Sequence, residues 1–234
     1  MENTAMENTR TKTTRNSLIL LLTAAIWGMA FVSQSKGMDY MHPFTFNGVR
    51  SLIGAASILV YILISRKIAG DKAAPLDWKL NVKAGLLCGI FLTIASTLQQ
   101  FGIKYTSVGK AGFITTLYII FVPMFGIFLK KKVAPVVWVA AVMAAVGMYL
   151  LCMTESLRLG AGDIMVFLCA IAFAIQIMTV DHYAARIDGA VVSCIQFTVC
   201  GVVCCIGALI WGQPTFGQLQ EGLGALLYAG VLSC

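Results

Sequence analysis

Long apolar runs separated by short polar or basic clusters set the pattern of this chain. They predict helical spans at 17–33, 43–65, 82–101, 108–129, 136–152, 163–181 and 190–211. A further span opens at Gly222 and has about thirteen residues before Cys234, against the ~20 a crossing helix needs. The stretch from Val108 to Leu129 is the most apolar, with Gly and Thr but one basic residue, Lys110. As one helix it would be roughly 33 Å long, enough to cross a hydrocarbon core. Pro123 lies inside it, where neighbouring helices and hydroxyls in a membrane bundle can take up the freed carbonyl. Gly109, Ala111, Gly112, Thr115 and Thr116 predict close helix approach in its first half, and the Gly85–Gly89 pair does the same for the third span.

Composition sharpens this pattern. Hydrophobic residues make up 59% of the 234 positions and charged residues only 12%, about half the charge of a soluble domain. Lipid is therefore the expected solvent and partner for most of the chain. The net charge of +7 lies between apolar spans rather than along one solvated face, so it marks topology and not nucleic-acid binding. With the N-terminus in the cytoplasm, Arg10, Lys12, Arg15, Arg66, Lys67, Lys72, Lys79, Lys83, Lys130, Lys131, Lys132 and Arg186 fall inside. Only Lys36, Lys104, Lys110 and Arg158 fall outside, an asymmetry that the reverse orientation would invert. Residues 1–16 read as a mobile cytoplasmic tail, and the span after it as retained rather than as a cleaved signal.

Shifting the chain by 146 residues places LTAAIWGMAFV (22–32) on LCAIAFAIQIM (168–178), with Trp27 on Phe173 and Arg50 on Gln196. Five spans separate equivalent points, an odd number, so the second copy must cross the membrane upside down. Inverted repeats of this kind are a construction of secondary transporters.

The AAIWG of the first span, Arg50 in the second, YTSVGKAGFITTLYIIFVP in the fourth and Gly162-Asp163 opening the second half resemble the EamA-type proteins of the drug/metabolite transporter superfamily. That resemblance implies an all-α integral membrane bundle on a ten-helix, inverted-repeat plan, about seven and a half helices of it present here. It implies a first repeat of five spans at 17–153 and a shortened second repeat at 163–234. It also implies export or exchange of small metabolites, amino-acid-like or drug-like, through a central cavity of a bacterial-type inner membrane. Departing from that plan by its early end, the chain reads as a fragment or incomplete gene product. A non-transporting membrane subunit or scaffold is the alternative.

Polar side chains at membrane depth are costly and need partners or a wet path. Arg50 can bind a substrate carboxylate or snorkel outward, and Asn47 lies one turn earlier on the same face. Gln99, Gln176 and Gln196 can line a pore for zwitterions or serve as interhelical glue. Trp27 and Tyr118 can wall a cavity or simply pack, and Lys110 can bind or snorkel. The expected small-solute path therefore comprises Arg50, Asn47, Trp27, Gln99, Tyr118, Lys110, Gln176 and Gln196.

No catalytic set, metal or cofactor is expected. Gly160-Ala161-Gly162-Asp163 imitates an intramembrane aspartyl protease motif, but Asp181 lies about 27 Å along the same helix, too far to share a proton. The eight cysteines contain no CxxC, and most lie in apolar spans as small packing residues. Cys200 and Cys204 share a helix face, but a soft-metal site there would need a further ligand, and neither His42 nor His182 lies at that depth. Self-association is left open.

Overall fold

The computed structural model describes residues 2–70, 76–128, 133–152 and 160–234. The long helices are α1 (Glu2–Tyr40), α2 (Pro43–Ala69), α3 (Trp78–Tyr105), α6 (Pro135–Cys152), α7 (Ala161–Tyr183) and α8 (Gly189–Gly207). Shorter ones are α4 (Val108–Thr116), α5 (Tyr118–Phe128), α9 (Phe216–Glu221) and α10 (Leu223–Leu227). α8 and α10 each run on into a π-helical turn, Ala208–Gly212 and Tyr228–Leu232. Among the described residues six helical spans are long and apolar enough to cross a membrane, and Pro135–Gly147 and Leu223–Leu232 are shorter apolar helices. The chain is an all-α, multi-pass membrane bundle.

Local chemistry sets the helix starts. Asp77 caps α3 by accepting the Leu80 N–H at 3.1 Å, and Ser107 caps α4 through the Lys110 N–H at 3.3 Å. Asp188 accepts the Ala190 and Val191 N–H groups at the head of α8. These side chains satisfy donors that no helical carbonyl can reach. Gly70 ends α2 at φ +51°, a conformation open to glycine at little cost.

Two expectations change here. The tail at 1–16 is not separate from the first span: α1 begins at Glu2, because neither Pro nor Gly interrupts the chain before Gly28. The fourth span is not one helix. It divides at Leu117, whose N–H bonds the Ile114 carbonyl three residues back at 3.2 Å, a locally tightened turn. Pro123, buried in α5, sits six positions past that break and does not end the helix. Lys130, Lys131 and Lys132 lie outside the described residues, as do Lys72 and Arg158.

The solvation pattern is inverted relative to a water-soluble protein. Leu18–Leu22 of α1, Val136 and Val139 of α6 and Leu209 and Ile210 after α8 are exposed. Asn47, Arg50, Asn81, Gln99, Gln100 and Gln196 are buried. Apolar residues outside and polar residues inside suit a lipid solvent.

α3 lies at the centre, with its most extensive contacts to α7 and α8, while α2 packs along α8. A Cβ on Gly85 would come within 2.6 Å of Ile195, and one on Gly89 within 2.8 Å of Val199, so these glycines set the α3–α8 approach. The α2–α8 seam uses Gly48 against Cys205 and Gly201 against Leu52. Cys194 donates to the Ala55 carbonyl further along. Rising numbers on α2 thus meet falling numbers on α8, and the two helices run antiparallel. Their first residues, Pro43 and Gly189, are separated by the sequence's own repeat interval. The helices matched by that register are therefore an inverted pair.

His42 caps α2 with Nδ1 accepting the Phe44 N–H at 3.4 Å, which only an unprotonated Nδ1 can do. Burial, and secondarily the Lys104 charge, hold its pKa below the usual imidazole value. The unfolded chain therefore binds the proton more readily. Stability contributed by His42 is present above about pH 6.5 and is lost as pH falls through the ordinary value toward the lowered one. Thermal melts in detergent between about pH 8 and 5 should show this decline, and His42→Asn should flatten it.

Candidate functional site

The buried polar groups converge where α2, α3 and α8 meet. Asn47 reaches from α2 to donate to the Ser96 carbonyl of α3 at 2.8 Å. Its Oδ1 accepts the Arg50 Nε–H at 3.0 Å. The guanidinium also lies over the Phe46 ring, 5.9 Å from its centroid. Arg50 is 8% exposed, and among the described residues no carboxylate lies within ion-pair distance of it. Its remaining N–H groups have no protein acceptor among those residues, so the site holds a formal cation paired only with a neutral amide.

The thiols of α8 border the same place. Ser51 donates to Cys200 Sγ at 3.5 Å, and Ser96 Oγ lies 3.3 Å from the same sulfur. Thr97 Oγ1 lies 3.7 Å from Cys204 Sγ. One to two helical turns along α8, roughly 6–12 Å away, Gln176 of α7 donates to Gln196 at 3.0 Å. The Arg50 layer and this amide layer thus lie at different depths, separated by the apolar face of α8.

Gln99 donates to Thr115 on α4 at 3.3 Å, and Gln100 donates to the Gln34 carbonyl of α1 at 3.2 Å. The Oε1 atoms of Gln34 and Gln100 are buried without a partner. Both are acceptors that a donor-bearing solute or water can use.

The structure therefore brings Arg50 and Asn47 together, joins Gln176 to Gln196 as a second pair, and points Gln99 toward α4. Tyr118 lies half-buried on α5, with no side-chain hydrogen bond among the described residues. Trp27 is 53% exposed on α1. A helix apolar on every side offers no pattern to say which face turns inward. Lys110 belongs elsewhere: its Nζ lies 4.0 Å from Asp163 Oδ2. A Cβ on Gly112 would meet nothing within 4 Å, so no close approach is made at that position. Ala111, Ile114 and Thr115 are the residues that α4 buries.

The close approach occurs instead at Gly102 and Gly162. A Cβ on Gly162 would lie 2.8 Å from the Gly102 carbonyl oxygen and from the Tyr105 carbonyl carbon. Beside it Asp163, 4% exposed, accepts the Thr106 hydroxyl and the Gly160 N–H, the latter at 2.9 Å. These contacts tie the head of α7 to the α3–α4 turn. A second tie lies at the other end of α8, where Asp188 pairs with Arg66 at 3.4 Å and donates its N–H to Asn81 Oδ1 at 2.9 Å.

Sequence reasoning missed Gln34, Ser51, Ser96 and Asn81 as members of the buried polar set. It also missed the aromatic group at the His42 end. There Phe44 stacks on Trp211 at 5.6 Å between centroids and meets Phe101 edge-on at 5.2 Å. A crevice between α4, α5 and α6, lined by Phe113, Leu117, Ile120 and Ala141, has no charged group and is separate from the Arg50 site.

A family model described as the EamA-like transporter family matches residues 15–153. An uncharacterized transporter of Archaeoglobus fulgidus is similar, 31% identical over 166 residues, which are 70% of this chain and 48% of that protein. An uncharacterized transporter of Bacillus subtilis strain 168, YwfM, is 26% identical over 221 residues, 93% of this chain and 72% of that protein. The chain thus spans about half the length of the archaeal relative.

Proposed function

The chain belongs to the EamA-like transporter family, and from that premise we propose that it carries the solute path of a secondary transporter. The solutes are small metabolites bearing a carboxylate or similar anionic group, and the direction is export across a bacterial-type inner membrane. The N-terminus is cytoplasmic, which puts the His42 end of the bundle outside and the Asp188 end inside. Transport proceeds by alternating access, with one repeat rocking against the other.

Arg50 carries the reading. A guanidinium withdrawn from water and bonded only to Asn47 is costly to keep. An anion arriving from solution offsets that cost and accepts the N–H groups that the protein leaves free. The Gln34 and Gln100 oxygens supply acceptors for donors elsewhere on the solute. Rocking requires the Asp163 tie and the Asp188 tie to open in turn.

Uptake into proteoliposomes, with thermal shifts in detergent, tests the reading on a panel of carboxylates and their neutral amides. Losing a charge-assisted bond costs about 1.5–3 kcal/mol, so Arg50→Met should weaken carboxylate binding roughly 10- to 100-fold. Arg50→Lys should retain part of it. Wild-type uptake of every solute by Arg50→Met would refute the assignment.

A further inference from the structure

We propose that Cys200 and Cys204 form a two-coordinate site for a soft monovalent cation of the Cu(I) and Ag(I) class. The two thiols lie four residues apart on one face of α8 and pack with Leu92 in one buried cluster. Both are sealed from solvent, at 1% and 0% exposure. On a helix, Cβ atoms at this spacing are about 5–6 Å apart. A disulfide needs about 3.5–4.5 Å, so oxidation to one is disfavoured by geometry. Two metal–sulfur bonds of about 2.3 Å each span roughly 4.6 Å, which the pair can bracket with small rotations about χ1.

Zinc would need four donors, and among the described residues no group of three or more His, Cys, Asp or Glu can hold a metal. A linear soft ion needs only two, and thiolate is the ligand it prefers.

The surroundings suit the charged product. On binding, both thiols release their protons to solvent and two metal–sulfur bonds form, with no change of oxidation state. Two thiolates and one monovalent ion leave a single negative charge. Arg50, whose guanidinium has no carboxylate partner among the described residues, supplies the matching positive charge. The hydroxyls of Ser51, Ser96 and Thr97 lie within 3.3–3.7 Å of the two sulfurs and can donate to the thiolates. This outer shell comes from α2 and α3, so the spacing on α8 alone does not reveal it. The proposal shares Arg50 with the transport reading, but its test is binding alone, so the failure of either can be told from the failure of the other.

The test is Cu(I) titration of the reduced, detergent-purified chain against a coloured Cu(I) chelator. One tight ion per chain is expected, lost in both Cys200→Ser and Cys204→Ser and retained in Cys88→Ser and Cys194→Ser. Arg50→Gln should weaken it about 10-fold or more, as removal of an outer-shell partner does. X-ray absorption on the unmodified chain counts the copper ligands directly, and no folding defect of a variant can blur that count: two sulfur neighbours support the site. Wild-type competition by either serine variant, equal loss in Cys88→Ser, or a copper shell with a third sulfur or nitrogen would overturn it.

Discussion

Gly162→Val is expected to separate α7 from α3 and to lower the stability of the bundle by about 3 kcal/mol or more, the upper end of overpacking costs. The reason is the nature of the neighbours. At Gly85 or Gly89 an added Cβ meets mostly side-chain atoms, although Ile195 Cβ at 2.7 Å and Val199 Cβ at 2.8 Å are held in place by their own backbone. At Gly162 it meets main chain: the Gly102 carbonyl oxygen, the Tyr105 carbonyl carbon and, at 3.0 Å, the Thr106 nitrogen. Relief would require moving the end of α3 and the turn that places α4. Denaturant-midpoint shifts in mixed micelles measure the loss. Gly112→Ala is the matched control, because the added methyl meets open space within a helix. It should be neutral or stabilising by about 0.5–1 kcal/mol. Equal damage from both substitutions would mean that the Gly102–Gly162 crossing does not set the interface.

Asp163→Ala is expected to cost on the order of 3 kcal/mol, the low end for breaking a buried pair. It removes at once the acceptor for the Thr106 hydroxyl, the acceptor for the Gly160 amide and the anion beside Lys110. Lys110 keeps a side-chain exposure of 20%, which lets water compensate part of the loss. Asp163→Asn should restore much of the hydrogen bonding without the charge. A large gap between the two variants assigns the stability to hydrogen bonds, and equal losses assign it to the ion pair. Because Asp163 fastens only one end of the bundle, protease accessibility should rise around Thr106 and Gly160 while the Arg66–Asp188 end stays protected.

The positions of most spans and the inverted relation of α2 to α8 were legible in the sequence. Apolar run length set the spans, and a constant offset exposed the repeat. The facing of each helix was not legible. Trp27 and Gly112 sit on spans apolar all round, where no polar stripe marks the interior, and both turned away from the core. The polar layer around Arg50 was half legible. Asn47 lies one turn away on the same helix, whereas Ser96 and Cys200 come from α3 and α8. The role of Lys110 was set by Asp163, more than fifty positions away, a pairing that local pattern cannot supply. The α1 helix overran its expected ends because lipid thickness limits an apolar run, while only Pro, Gly or a cap limits a helix.

The 146-residue correspondence joins Arg50 to Gln196, so the two copies share a frame but not a charge. The consequence is electrical. A transmembrane voltage exerts force on the guanidinium and none on its amide counterpart, about 2.3 kcal/mol per elementary charge for each ~100 mV of potential crossed. With a monovalent anion bound the pair is neutral, and its passage moves no current. The empty form carries the full positive charge through whatever fraction of the field it traverses. In the alternating-access cycle proposed above, polarisation of the bilayer should therefore alter the return half and leave the loaded half nearly untouched.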